Sequence, residues 1–158
     1  MDDHQKRRAL ESIPYAVYVV GVKQGDVLGA YTANWICQAS FRPPLLMLGV
    51  KADGRQRACM ESDPVLTVNL LDESQRSVAA AFVRWNEPRD GRLGGIGFTT
   101  GVTGTPILDD APAYLECRVR RIVPGGDHDV AIAEVIEAVV RRDFSPLHLS
   151  QTGWSYGG

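Results

Sequence analysis

Apolar positions along the chain fall mostly in short β-branched runs rather than at helical spacing. The first run, Tyr15-Ala-Val-Tyr-Val-Val-Gly-Val22, precedes Lys23-Gln-Gly-Asp26 and a second extended stretch to Asn34, which predicts a β-hairpin. Pro43-Pro44 forbids a helix and introduces a strand at Leu45–Lys51. Val65–Leu71 reads as a further buried strand. Tyr114–Val123 and Asp129–Val140 are long runs on either side of Pro124-Gly-Gly126. The second of these, rich in Ala and Glu, has some helical character. Its Val/Ile density and the preceding turn favour a strand with two largely apolar faces. Leu147-His-Leu149 reads as a short last strand.

Helical spacing is confined to three places. Residues 2–12 form a polar helix with Asp2 or Asp3 as cap and Pro14 closing it. Asp53-Gly-Arg-Gln56 and Asp72-Glu-Ser-Gln75 each set a cap residue three positions before Gln, the capping-box pattern. After the second box, Val78, Ala81, Phe82 and Trp85 share one face, which makes them core filler on a packed surface helix. Residues 84–105 lack periodicity and carry Gly91, Gly94, Gly95, Gly97, Gly101 and Gly104. So long a loop in a compact domain suggests a lid or binding loop. Residues 151–158 read as a tail. Six or seven strands in hairpin order against three helices predict a mainly β (α+β) single domain over 1–158, an antiparallel β-barrel with short helical inserts.

Composition adds exclusions. With 44% hydrophobic and 23% charged residues the chain is an ordinary globular domain. Its 17 basic and 19 acidic residues give a net charge of −2, without a basic cluster. Neither nucleic acid nor an anionic membrane is expected as a partner. The cysteines Cys37, Cys59 and Cys117 are odd in number and have no CxxC spacing, which points to a reducing, cytoplasmic compartment. No run approaches the roughly 18 apolar residues of a membrane span, and the N-terminus lacks a secretory pattern.

Familiar catalytic signatures are absent: no Walker A, no Gly-x-Gly-x-x-Gly after a strand, no Gly-x-Ser-x-Gly elbow. His4, His128 and His148 lack metal-ligand spacing, so no metal site is expected. Three polar groupings remain. Tyr31-Thr-Ala-Asn-Trp-Ile-Cys-Gln-Ala-Ser-Phe-Arg-Pro-Pro44 presents Thr32, Asn34, Gln38 and Ser40 near backbone amides, able to hold a phosphate or the edge of a planar ring. Turns and caps alone would also account for them. Lys51-Ala-Asp-Gly-Arg-Gln-Arg57 puts basic side chains at a helix start, where anions bind, although a solvated helix face looks the same. Gly125-Gly-Asp-His-Asp129 sets a histidine in a turn, where Gly and Asp need no functional reason but His is less usual.

In order and spacing these segments resemble the flavin reductase-like family of FMN-binding split β-barrel proteins, from about Ile13 to about Leu149. The pieces that carry the resemblance are Thr32-Ala-Asn-Trp-Ile-Cys-Gln-Ala-Ser-Phe-Arg-Pro-Pro44, Leu66-Thr-Val-Asn-Leu70, Leu115-Glu-Cys-Arg-Val119, and Gly126-Asp-His with Ala133-Glu-Val135. The resemblance implies an antiparallel split barrel that pairs as a homodimer. It sets Thr32, Ala33, Asn34 and Trp35 along the isoalloxazine and ribityl chain, and Ser40 near the ribityl–phosphate end. Lys51 and Arg57 match basic positions that meet the phosphate, and His128 matches the histidine near nicotinamide and flavin. Three departures stand out: Arg55-Gln-Arg-Ala-Cys59 replaces the family's Thr/Ser followed by His, Ala133 replaces Gly, and Trp35 is open to a stacking or a dimer-contact role. The tail Gly153-Trp-Ser-Tyr156 is a candidate cover for the ring.

The expected function is an NAD(P)H-dependent flavin reductase-like oxidoreductase, with FMN or alternatively FAD as flavin and NADH or NADPH as co-substrate. Free flavin, an iron complex or a partner oxygenase would be the acceptor. The rival readings are an FMN electron carrier without NAD(P)H activity and a flavin-free split-barrel binding module. His128, expected on an exposed turn, is the expected catalytic residue.

Overall fold

The computed structural model describes residues 1–157. Helix α1 (Asp3–Glu11) opens the chain, and the Asp2 carboxylate caps it by accepting from the Gln5 N–H at 2.8 Å. Strands β1 (Tyr18–Gln24) and β2 (Val27–Ala33) form the expected hairpin, paired from Tyr18↔Ala33 to Gln24↔Val27. Then follow β3 (Ile36–Phe41), β4 (Pro44–Lys51), α2 (Arg55–Ser62) and β5 (Val65–Leu70). A 3-10 turn (Glu73–Gln75) runs into α3 (Arg76–Ala81). The small strands β6 (Phe98–Thr100) and β7 (Pro106–Leu108) precede the long β8 (Ala113–Val123) and β9 (His128–Val140).

All ladders are antiparallel, in the order β2-β1-β5-β8-β9-β4-β3, with β6-β7 as a separate pair. The order has two ends, so the hydrogen-bonded sheet does not close into the barrel expected from sequence. It does curve. Val20 and Val22 of β1 share one buried cluster with Leu46, Leu48 and Val50 of β4, although those strands stand second and sixth in the order. Cys59 and Met60 of α2 pack into the same cluster. Val17 and Val19 face the opposite way, into a second cluster with Phe82, Leu93, Leu108 and Leu147. β1 is therefore buried on both faces, which is why its sequence is continuously apolar instead of alternating.

Several local expectations change. The polar stretch after β2 contains strand β3, an exposed edge with a bulge between Gln38 and Ser40. The capping box at Asp72 forms, with the Asp72 N–H donating to the Gln75 side chain. The one at Asp53 does not: Gly54 is the N-cap, without a side-chain cap, and the Asp53 carboxylate pairs instead with Lys51 at 3.5 Å. Helix α3 ends at Ala81, which puts Trp85 beyond it. Leu147–Leu149 makes a single bridge, Ala16↔His148, and then a 3-10 turn (Leu149–Gln151). The glycine-rich segment is no free lid, because Leu93, Thr103 and Thr105 are buried and Phe98–Thr100 pairs with β7.

Strand β9 is buried unevenly along its length. Asp129, Ala131 and Ala133 are buried, whereas Ile136, Glu137 and Ala138 are exposed. Among the described residues no helix is long and apolar enough to cross a membrane.

Candidate functional site

A cleft of about 470 Å³ opens where the end of β2, the Asn34-Trp35 corner, the outer face of β4 and the start of β9 converge. Antiparallel pairing puts Lys51, the last residue of β4, directly opposite His128, the first of β9. Gly49 lies two residues earlier on the same face, and its N–H donates to the Trp35 carbonyl at 2.9 Å. The Trp35 ring lies over that glycine: a Cβ there would stand 2.8 Å from Trp35 Cε3, so the position requires Gly. Resting on the strand in this way, Trp35 brings its ring centroid to 4.7 Å from that of His128 and 5.4 Å from that of Tyr156. The indole Nε1–H is buried without a partner.

His128 is held at both ring nitrogens. Nδ1 lies 3.0 Å from Asp127 Oδ1, and Nε2 lies 2.9 Å from the Tyr156 hydroxyl. A carboxylate can only accept, so Nδ1 carries a proton, and in the neutral ring Tyr156 O–H donates to Nε2. The His128 hydrogen bond draws the Asp127 carboxyl below its usual range. Only 16% of the His128 side chain is exposed, which corrects the expectation of a loosely packed turn residue. Asn34, also largely buried, donates from Nδ2 to the Tyr156 carbonyl at 3.4 Å. Thr32 spends its hydroxyl on structure, donating to the Ala79 carbonyl at 2.6 Å. Lys51 remains more than half exposed at the mouth, beside Gln56 in the uncapped first turn of α2.

Six of the sequence-derived site residues therefore come together: Thr32, Ala33, Asn34, Trp35, Lys51 and His128. Two do not. Ser40 sits at the β3 bulge, away from the cleft lining. Arg57 turns from the cleft to Asp129, at 2.5 Å, and Glu61, at 2.8 Å, and so fastens α2 to the 124–129 turn. The Gly125 N–H also donates to Asp129, at 3.1 Å, and the Arg57 hydrogen bond above all holds that carboxyl low. A guanidinium committed to two carboxylates is poorly placed to meet a phosphate as expected.

Sequence reasoning missed Tyr31, Gly49, Gln56 and Trp85 as lining residues. Trp85 looked like helix filler. It stands under the Arg55 guanidinium, 4.7 Å from the ring centroid, and donates from Nε1 to Glu87 at 3.0 Å. Nothing in its spacing signals this. Trp154, Ser155 and Tyr156 complete the wall. Among the described residues no cluster of His, Cys, Asp or Glu is suited to a metal.

The family described as the flavin reductase like domain matches residues 10–156. Diflavin flavoprotein A 1 of a Synechocystis species is 30% identical over 141 residues, covering 89% of this chain but only 25% of that protein. This chain thus spans about a quarter of that relative. The FMN reductase (NADH) RutF of Stutzerimonas stutzeri is 30% identical over 152 residues, covering 96% of this chain and 86% of the relative. Among solved structures, the NADH:FAD oxidoreductase SgcE6 of Streptomyces globisporus C-1027 superposes with a TM-score of 0.81 at 27% identity. That similarity covers 96% of this chain and 91% of the other.

Proposed function

The chain belongs to the flavin reductase-like family, and from that premise we propose that it is an oxidoreductase transferring hydride from NADH or NADPH to a flavin held in the Trp35–His128 cleft. The observation that carries this reading is the Trp35 indole: a broad aromatic face in a preformed cleft, with a buried Nε1–H that no protein atom accepts. Buried donors are nearly always paired, by protein, water or ligand, so an unpaired one on a residue that lines a cleft supports a ligand acceptor there. The residues present suit a flavin. Ala33, Asn34 and Trp35 line a slot for a planar ring, with Thr32 shaping it through its bond to Ala79. Lys51 and the uncapped start of α2 lie at one end, suited to a phosphate. FMN is the flavin this favours, with FAD as the alternative.

A bound flavin would supply the two-electron chemistry, and the chain's residues bind, orient and shield. His128 presents an imidazole of fixed tautomer, held by Asp127, at the ring end of the cleft. Trp35, Trp85 and Trp154 exclude water along its walls. Arg57 is a positioning residue: its bond to Asp129 ties α2 to the turn that carries His128.

The outer face beside the cleft supports a homodimer. Met47 and Ile132 pair across β4 and β9, next to Cys37 on β3, and Phe41 is 84% exposed at the edge. A second copy would cover this apolar surface and bring Ser40, on the same edge, into an interface. Free flavin, an iron complex or a partner oxygenase would take the electrons, in the cytoplasm.

The test is direct. Purified protein loaded with FMN should bleach on anaerobic addition of NADH or NADPH. FMN should bind roughly tenfold more tightly than riboflavin, and Lys51→Ala should erase most of that preference. Equal affinity for the two flavins in the parent would sink the phosphate assignment. Yellow protein that neither nucleotide bleaches would favour an electron carrier, and protein that binds no flavin would favour a binding module. A monomer by light scattering at micromolar concentration would count against the dimer.

A further inference from the structure

We propose that Tyr156 is a built-in occupant of the ring seat in the cleft, and that residues 153–157 form a strap which gives up this seat when a flavin enters. The proposal rests on the flavin reading above. Both nitrogens of His128 are engaged, Nδ1 by Asp127 and Nε2 by the Tyr156 hydroxyl. Any ring that is to reach Nε2 must therefore displace the phenol. The seat offers an Asn34 amide donor, the His128 Nε2 acceptor and the Trp35 N–H donor. That combination matches a planar heterocycle with carbonyl and N–H groups on one edge. Tyr156 imitates such an edge incompletely. Its carbonyl accepts from Asn34 at a long 3.4 Å, its hydroxyl serves His128, and the Trp35 N–H is left without an acceptor.

The two ends of the strap are fastened unequally. Trp154 is its anchor: the indole packs against the second buried cluster beside the Arg76 guanidinium, 5.2 Å from the ring centroid, and the Trp154 backbone N–H donates to Thr152 Oγ1 at 3.0 Å. Tyr156 is held only by the hydrogen bonds above and its ring contacts with Trp35 and His128. Tyr156 is 50% exposed, and glycines with positive φ, Gly153 (73°) and Gly157 (141°), flank the segment. Behind it lies a second cleft of about 270 Å³, bounded by residues 11–15 and His148–Ser150. That cleft shares Leu149, Trp154, Ser155 and Tyr156 with the first. The strap is thus a partition with open space on both sides, and the second cleft can receive the phenol when it leaves the first.

FMN titration of the parent, Tyr156→Phe and Tyr156→Ala, followed by flavin fluorescence, tests the exchange. Removing the ring takes away one hydrogen bond and the aromatic contacts with Trp35 and His128, so Tyr156→Ala should bind FMN about tenfold more tightly, with Tyr156→Phe between it and the parent. A tenfold gain corresponds to a seat open in about one parent molecule in ten. In the parent, amide hydrogen exchange over 153–157 should speed up on adding FMN. This readout decides the matter if the alanine variant fails to fold. Equal or weaker FMN binding by Tyr156→Ala, or slower exchange of the strap with FMN bound, would make Tyr156 a fixed wall and overturn the proposal while leaving the flavin reading intact. If none of the three chains binds FMN, the flavin reading itself falls and takes the strap with it.

Discussion

In the cleft, Trp35 Nε1 and the Tyr31 hydroxyl are buried without partners, and Asn34 makes one long bond. Around Glu116 on β8 the polar groups are saturated instead. One carboxylate oxygen accepts from the Thr103 N–H at 2.8 Å and its hydroxyl at 2.6 Å, and the other accepts from the Val102 N–H at 3.2 Å. Thr103 continues to Thr105 at 2.7 Å, and Thr105 to Thr67 at 2.6 Å. Gly101 is fixed by the same contacts, since a Cβ there would collide with Glu116 Oε2. Both regions bury Thr, Asn or carboxylate side chains, yet one is closed architecture and the other keeps bonding capacity for a visitor. The balance of satisfied and unsatisfied groups separates them, because residue type does not.

Substitutions that open the closed network should cost most. Glu116→Ala removes the acceptor of the buried Thr103 N–H and hydroxyl and of the Val102 N–H and leaves a cavity beside them, so it should lower stability by about 3 kcal/mol and the melting temperature by roughly 10 °C. FMN affinity should stay within twofold of the parent. A mild effect on melting together with lost flavin binding would reverse the comparison.

His128→Ala probes the open region. Stopped-flow reduction of bound FMN by NADH should slow by about tenfold, the size of a positioning hydrogen bond, whereas a loss of 10²-fold or more would assign proton transfer. Because the imidazole packs on Trp35, a small drop in melting temperature should accompany it. An unchanged rate would leave the histidine a purely structural part of the wall.

Arg57 belongs with the closed kind although it borders the cleft. Its hydrogen bond depresses the Asp129 carboxyl in the folded protein. Stability from a depressed carboxyl is present above its unfolded value, about 3.9, and is lost as pH falls through the lower folded value. Arg57→Ala should therefore lower the melting temperature at pH 7, and the gap to the parent should narrow below about pH 3.9. The preference for FMN over riboflavin should survive. Its loss would return Arg57 to the phosphate.

The smallest effect is expected at Tyr31, whose phenol is pushed far above its ordinary pKa by burial, with a lesser contribution from Cys59. Removing an unpaired buried hydroxyl relieves a desolvation penalty, so Tyr31→Phe should be neutral or stabilise the flavin-free protein by about 1 kcal/mol. A clear destabilisation in thermal melts would mean that the hydroxyl has a partner after all.

The sequence by itself determined the strands that carry the cleft. β-Branched runs, the Gly25-Asp26 turn and the double proline specify β1, β2, β4, β8 and β9 through local propensity, and these are the elements found. It also brought six cleft residues to notice, because the order of short motifs is itself a sequence property. Only tertiary structure could decide the rest. Whether Arg57 meets a phosphate or Asp129 depends on a partner 72 residues away, and Tyr156 meets His128 across 28. Trp85 left its apparent helix face because α3 ends at Ala81 and Gly29 leaves room for the indole. Local pattern encodes element and face. The partner of a polar group, and so whether it builds or binds, is set where distant segments close on one another and water is excluded.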